Sequence, residues 1–130
     1  MIVVDASAVL EVLLGTTTGA RVGQRLLSGR ESLHAPHLLD VEVAQVLRRF
    51  AAAGDLTAER GREALEDLAD FPLHRYSHDV LLPRIWELRH NVTAYDAAYV
   101  ALAEVLGAPL VTCDERLGST PGHAAKIDVY

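Results

Sequence analysis

A chain of 130 residues has room for one domain with one full core and is too short for two. Half its residues are apolar but only 5% are aromatic, so the core must be mostly Leu, Val and Ala. No apolar run reaches the roughly eighteen residues of a membrane span, and the opening MIVVDAS lacks the pattern of a secretion signal. The net charge of −6, from 18 acids against 12 Lys plus Arg, argues against a nucleic-acid binder held by bulk positive charge.

In chain order, IVV (2–4) reads as a short buried strand ending at Asp5, followed by a helix over 6–14 that Gly15 stops. A second helix is expected at about 18–28, with Gly29 just beyond it, and SLHAP (32–36) is a short strand. Leu39, Val43, Val46, Leu47 and Phe50 recur at helical spacing and predict a helix over about 38–53. Thr57 caps a helix of about 58–69, FPLHRY (71–76) is a weaker strand, and a helix of about 78–89 follows. Thr93 caps a helix of about 94–106 closed by Gly107, and APLVT (108–112) and KIDVY (126–130) are the last strands. Strands alternating with helices predict an α/β fold, one domain over 1–130, with about five parallel strands covered on both faces.

In an open parallel sheet, ligands bind beyond the carboxyl ends of the strands. Asp5 is the first residue after IVV, and Asp114 lies two residues beyond LVT. Glu42 sits early in the helix after the second strand, and Asp96 in the first turn of the helix begun at Thr93. All four are therefore expected at one rim. Glu42 between Val41 and Val43, and Asp96 before AAYVALAEVLG, place carboxylates beside apolar faces, which is unfavourable unless something compensates. Divalent metal is the natural compensation for several like charges. With one cysteine, Cys113, and scattered histidines offering no zinc-type set, oxygen ligands select Mg²⁺ or Mn²⁺. Crowded carboxylates also predict that at least one has a raised pKa without metal.

VVDASAVL, Glu42 in PHLLDVEVAQVLRR, YDAAYVALAEVLG and LVTCDERL together resemble a PIN-domain nuclease, and in particular the toxin of VapBC-type toxin–antitoxin pairs. The resemblance covers essentially the whole chain. It implies a sheet of order 3-2-1-4-5, a metal-dependent endoribonuclease leaving a 5′-phosphate and a 3′-hydroxyl, a homodimer, and a cognate antitoxin that blocks the site. It maps the family's acids onto Asp5, Glu42, Asp96 and Asp114, and its small hydroxyls onto Ser7 and Thr112. Those hydroxyls would orient carboxylates or metal-bound water. Within the same fold, a non-toxin RNA-processing nuclease and a non-catalytic interaction module are the alternatives.

Arg48 and Arg49 are candidate contacts for RNA phosphates. A phosphotransfer domain also places acids at strand ends, and Lys126 would suit one, but no second acid follows Asp5 closely. A histidine-based ribonuclease finds no pairing among His34, His37, His74, His78, His90 and His123, each expected at the surface or an interface. VLEVLL (9–14) and LLDVEVAQVL are candidate interaction faces. The lone cysteine excludes an internal disulfide and suits a reducing cytosol, so a cytoplasmic location is expected.

Overall fold

Three apolar residues, Ile2–Val4, form β1 at the centre of the sheet, none of them exposed to solvent. In the computed structural model, which describes residues 1–130, β1 pairs in parallel with β2 (Leu33–Pro36) on one side and β4 (Leu110–Thr112) on the other. β3 (Leu73–Tyr76) extends the sheet beyond β2 and β5 (Ile127–Val129) beyond β4, giving the all-parallel order β3-β2-β1-β4-β5. The three inner strands are buried along their whole length, as strands covered on both faces must be, while the edge strands are partly exposed.

Helices α1 (Ala6–Leu13), α2 (Thr17–Leu26), α3 (Leu38–Ala53) and α4 (Ala58–Asp70) pack as one group. α5 (Leu82–Glu87) packs on α6 (Ala94–Leu106), and α6 lies against β1, β2 and β4. Seven consecutive residues of α6, Ala97–Ala103, are buried, which its small alanines permit between the sheet and α5. The chain winds outward through β1, β2 and β3, then crosses back to β4 beside β1. The carboxyl ends of β1 and β4 therefore flank the point where the winding reverses, the place where this architecture binds ligands. No helix is long and apolar enough to cross a membrane.

The expected elements are present in the expected order, with three local differences. The helix expected over 78–89 is a 3₁₀ turn (Asp79–Leu81) followed by the short α5, because Pro83 has no N–H to continue the ladder. The strands expected from 71 and 108 begin at Leu73 and Leu110, each just after a proline. A four-residue helix, α7 (Glu115–Gly118), follows β4 and was not anticipated.

The histidines are less peripheral than expected. His34 is buried, and its ring nitrogens each hydrogen-bond a hydroxyl at 2.7 Å, Ser32 on one side and Tyr76 on the other. His78 Nε2 accepts the Leu38 N–H at 3.1 Å and so satisfies a donor left open at the start of α3. Most apolar residues of the two candidate interaction faces are core: Val9, Leu10, Leu13, Leu39, Val43 and Leu47 are buried, whereas Val41 is 72% exposed.

Candidate active site

Asp5 follows β1 directly and caps α1, its Oδ1 accepting the Ala8 N–H at 3.0 Å. The Ser7 hydroxyl donates to the same oxygen at 2.7 Å, and the hydroxyl of Thr112, at the end of β4, donates to Oδ2. Each hydroxyl has one proton and each gives it to Asp5, so the 3.2 Å approach between Ser7 Oγ and Thr112 Oγ1 carries none. The same two oxygens accept the N–H groups of Cys113 and Asp114, both at 2.9 Å. One continuous set of bonds thus ties the ends of β1 and β4 together. Burial raises the Asp5 pKa, the Thr112, Ser7 and Ala8 donors oppose it, and the Asp96 charge adds to it.

Glu42 is half-buried on α3, and its Oε1 accepts the phenol of Tyr99 at 2.6 Å. Burial raises the Glu42 pKa; the Tyr99 bond works against this, and the charges of Asp96 and Asp5 reinforce it. Tyr99, itself buried on α6, is held far above its usual range by burial and by Glu42, so it stays a proton donor. Asp96 sits in the first turn of α6, where its own N–H bonds Thr93 Oγ1 at 3.2 Å. Its pKa is raised by burial and by Asp114, partly offset by Arg116 and the Thr93 hydroxyl.

Asp114 differs in sign. It caps α7 by accepting the Arg116 N–H at 2.9 Å, and the Arg116 guanidinium lies 3.4 Å from its carboxylate. Partial burial pushes its pKa up, but the Arg116 and Leu117 contacts outweigh that and hold it below the usual carboxylate range.

All four acids line one cleft of about 720 Å³, together with Ser7 and Tyr99, while Thr112 lies fully buried beside Asp5. Arg49 lines the cleft; Arg48 is exposed and does not, so only one of the two candidate arginines is placed to meet a ligand there. The single cation in salt-bridge contact with any of the four acids is Arg116, whose side chain is 93% exposed. No three of the carboxylates converge closely enough to ligate one ion by themselves. An oxygen-only, water-accessible donor set of this kind fits Mg²⁺, which keeps several waters and takes one or two carboxylates directly. Tyr99 and Arg116 escaped the sequence reading, although Asp96-x-x-Tyr99 is an i, i+3 pair on one face of α6.

The signs of these shifts make a prediction for the metal-free protein. Asp5, Glu42 and Asp96 bind protons more tightly when folded, so their contribution is present below the unfolded carboxylate pKa and is lost as pH rises through the folded values. Asp114 has the opposite sign: its contribution is present above the unfolded value and is lost as pH falls through the folded one. In EDTA at pH 7, Asp96→Asn should therefore raise the melting temperature, and Asp114→Asn should not. Mg²⁺ should stabilise wild type by about 1.4 kcal/mol at ten times its Kd. Melting curves showing no gain for Asp96→Asn and no metal response would mean that the carboxylates do not repel one another as described.

The PIN domain family model matches residues 2–122. The VapC ribonuclease Mb0985 of Mycobacterium bovis is 50% identical over 130 residues, covering 99% of this chain and 98% of its own length. Among solved structures, PAE2754 from Pyrobaculum aerophilum superposes with a TM-score of 0.71 at 28% identity, covering 98% of this chain and 83% of that one. A toxin–antitoxin complex from Klebsiella pneumoniae shares the fold, with a TM-score of 0.65 at 16% identity over 92% of this chain and 91% of that one.

Proposed function

This chain belongs to the PIN-domain family, and from that premise we propose that it is a Mg²⁺- or Mn²⁺-dependent endoribonuclease, the toxin of a VapBC-type pair. The observation that carries the reading is the convergence of Asp5, Glu42, Asp96 and Asp114 on one cleft, where burial and mutual charge raise the pKa of three of them and only one arginine, Arg116, is in salt-bridge contact with any of the four. The near-full-length likeness to a VapC ribonuclease supports it.

Asp5, Asp96 and Asp114 would hold the ion, directly or through water, with Glu42 as a further ligand or the group that orients the attacking water. When bound, the ion lowers the pKa of a water and offsets charge on the phosphate and the leaving oxygen. Ser7 and the Ala8 N–H occupy both lone pairs of Asp5 Oδ1 and Thr112 occupies one of Oδ2, which fixes the carboxylate's orientation and leaves a lone pair free on Oδ2. Tyr99 holds one oxygen of Glu42, and the other has no partner within the protein. A carboxylate with a raised proton affinity, anchored at one oxygen, is suited to take a proton from water. Attack by water does not use the ribose 2′-OH, so preference for RNA is a matter of binding rather than chemistry.

The cognate antitoxin would fill the same acidic cleft with an Arg or Lys side chain. The test is purified protein with candidate RNAs, in Mg²⁺ or Mn²⁺ against EDTA, with and without the antitoxin. Metal-dependent cleavage, blocked by antitoxin and restored when its inserted basic residue is replaced by Ala, is the expected result. Cleavage that continues in EDTA would overturn the metal mechanism. Absence of cleavage with every RNA and either metal would leave an interaction module in its place.

A further inference from the structure

Six of the eleven arginines are paired with carboxylates; Arg21, Arg30, Arg48, Arg49 and Arg89 are not. Two of those five line clefts at the acidic site. Arg49 lies in the main cleft, and Arg89 lies in an adjoining one of about 570 Å³ that shares Asp96, Asp114 and Arg116 with it. The adjoining cleft is polar and is further lined by His90, Asn91 and Thr120. The loop that follows Thr120 is tied down outside the cleft: Arg84 bonds Glu104 at 2.7 Å and the Gly122 carbonyl at 3.1 Å, and the Ala124 N–H bonds Glu104 at 2.9 Å. Arg84 is thus committed to holding the loop, whereas Arg89, which lines the cleft, has no carboxylate partner.

Arg89 also builds a flat surface. Its guanidinium carbon lies 4.8 Å from the centre of the Trp86 ring, and its Nη1 donates to the Trp86 carbonyl at 2.9 Å. Trp86 is 69% exposed. A solvent-facing indole, covered in part by the arginine that lines a polar cleft, is the kind of surface on which unpaired bases stack. A polyanion crossing four carboxylates needs cations beside them, and Arg49 in the main cleft, Arg89 in the adjoining one and Arg116 in both supply this.

We propose that the adjoining cleft is a nucleotide subsite: a base next to the scissile phosphate stacks on the Trp86–Arg89 surface, and Arg89 and Arg116 take the neighbouring phosphate. The subsite rests on the ribonuclease reading above and names the part of the protein that selects a single-stranded substrate.

Trp86 is the only tryptophan in the chain, so its fluorescence reports on this surface directly. The probe is a fluorescein-labelled single-stranded oligoadenylate, added with Mg²⁺ to Asp96→Asn protein so that the strand stays intact. Binding followed by anisotropy should quench the tryptophan over the same concentration range. Trp86→Ala and Arg89→Ala should each weaken binding roughly five- to hundredfold. Arg89→Ala should also lower the slope of log affinity against log salt by about 0.7. Arg30→Ala should change neither. Unquenched tryptophan at saturating oligoadenylate, or equal affinity in Trp86→Ala, would overturn the subsite. So would a Trp86→Ala protein that sediments as a smaller species with unchanged RNA affinity, which would make this face a contact between copies of the chain. Metal-independent cleavage by wild type would overturn the catalytic reading alone and leave the subsite standing.

Discussion

Asp96→Asn is expected to lower RNA cleavage by at least about a hundredfold, a loss of about 2.7 kcal/mol of transition-state stabilisation. Asp96 sits between the others electrostatically: its charge raises the pKa of both Asp5 and Glu42, and its own is raised by Asp114. Changing it to Asn keeps the shape, and the Thr93 cap does not depend on the carboxylate because it is made by the Asp96 backbone N–H. The charge that would draw a divalent ion into the shared cleft is lost, while α6 stays capped. Asp5→Asn should lower cleavage similarly, but it also alters an α1 cap and a carboxylate held by two hydroxyls, so its stability must be measured alongside. The decisive measurement is the single-turnover cleavage rate at saturating Mg²⁺ together with circular dichroism. A folded Asp96→Asn protein that cleaves within a few-fold of wild type would remove Asp96 from the active site.

Gly19→Ala is expected to destabilise the protein by about 2 kcal/mol or more, and Gly23→Ala, one turn later in the same helix, to stabilise it by about 0.4–1 kcal/mol. A Cβ on Gly19 would lie 1.9 Å from the carbonyl oxygen of Glu11, a backbone atom of α1 that cannot swing away. α2 would have to move off α1, the helix that Asp5 caps and that bears Ser7. The gain in helix propensity, about 1 kcal/mol, is smaller than the roughly 3 kcal/mol of an overpacked contact against backbone. At Gly23 nothing lies within 4 Å of the added methyl group, so only the propensity gain remains. Urea unfolding of the two variants tests the pair. Equal midpoints would show that α1 and α2 are not in close backbone contact.

The local half of this protein is legible in its sequence. IVV before Asp5, LVT before Asp114 and Thr93 before Asp96 are strand ends and a helix cap, and each is set by residues within a few positions. In a parallel sheet those positions share one rim, so the acidic cleft follows from periodicity and capping. What Pro83 and Pro109 do to the ladder beside them is equally local, and reading them more strictly would have corrected the helix over 78–89 and the strand from 108.

Packing decided the rest. Thr112 reaches Asp5 across 107 positions and Tyr99 reaches Glu42 across 57, and no period in the chain encodes either distance. The opposite shift of Asp114 depends on where the turn into α7 places Arg116, and the choice of Arg49 over Arg48 depends on how α3 is rotated against α1. His34 was expected at the surface or an interface, yet Ser32 and Tyr76 bond both its nitrogens and let it lie buried in β2. Residue type and spacing constrain a helix or strand because hydrogen bonding along the backbone is short-range. The charge state and orientation of a buried group are set by whatever the fold brings beside it, which only the tertiary structure determines.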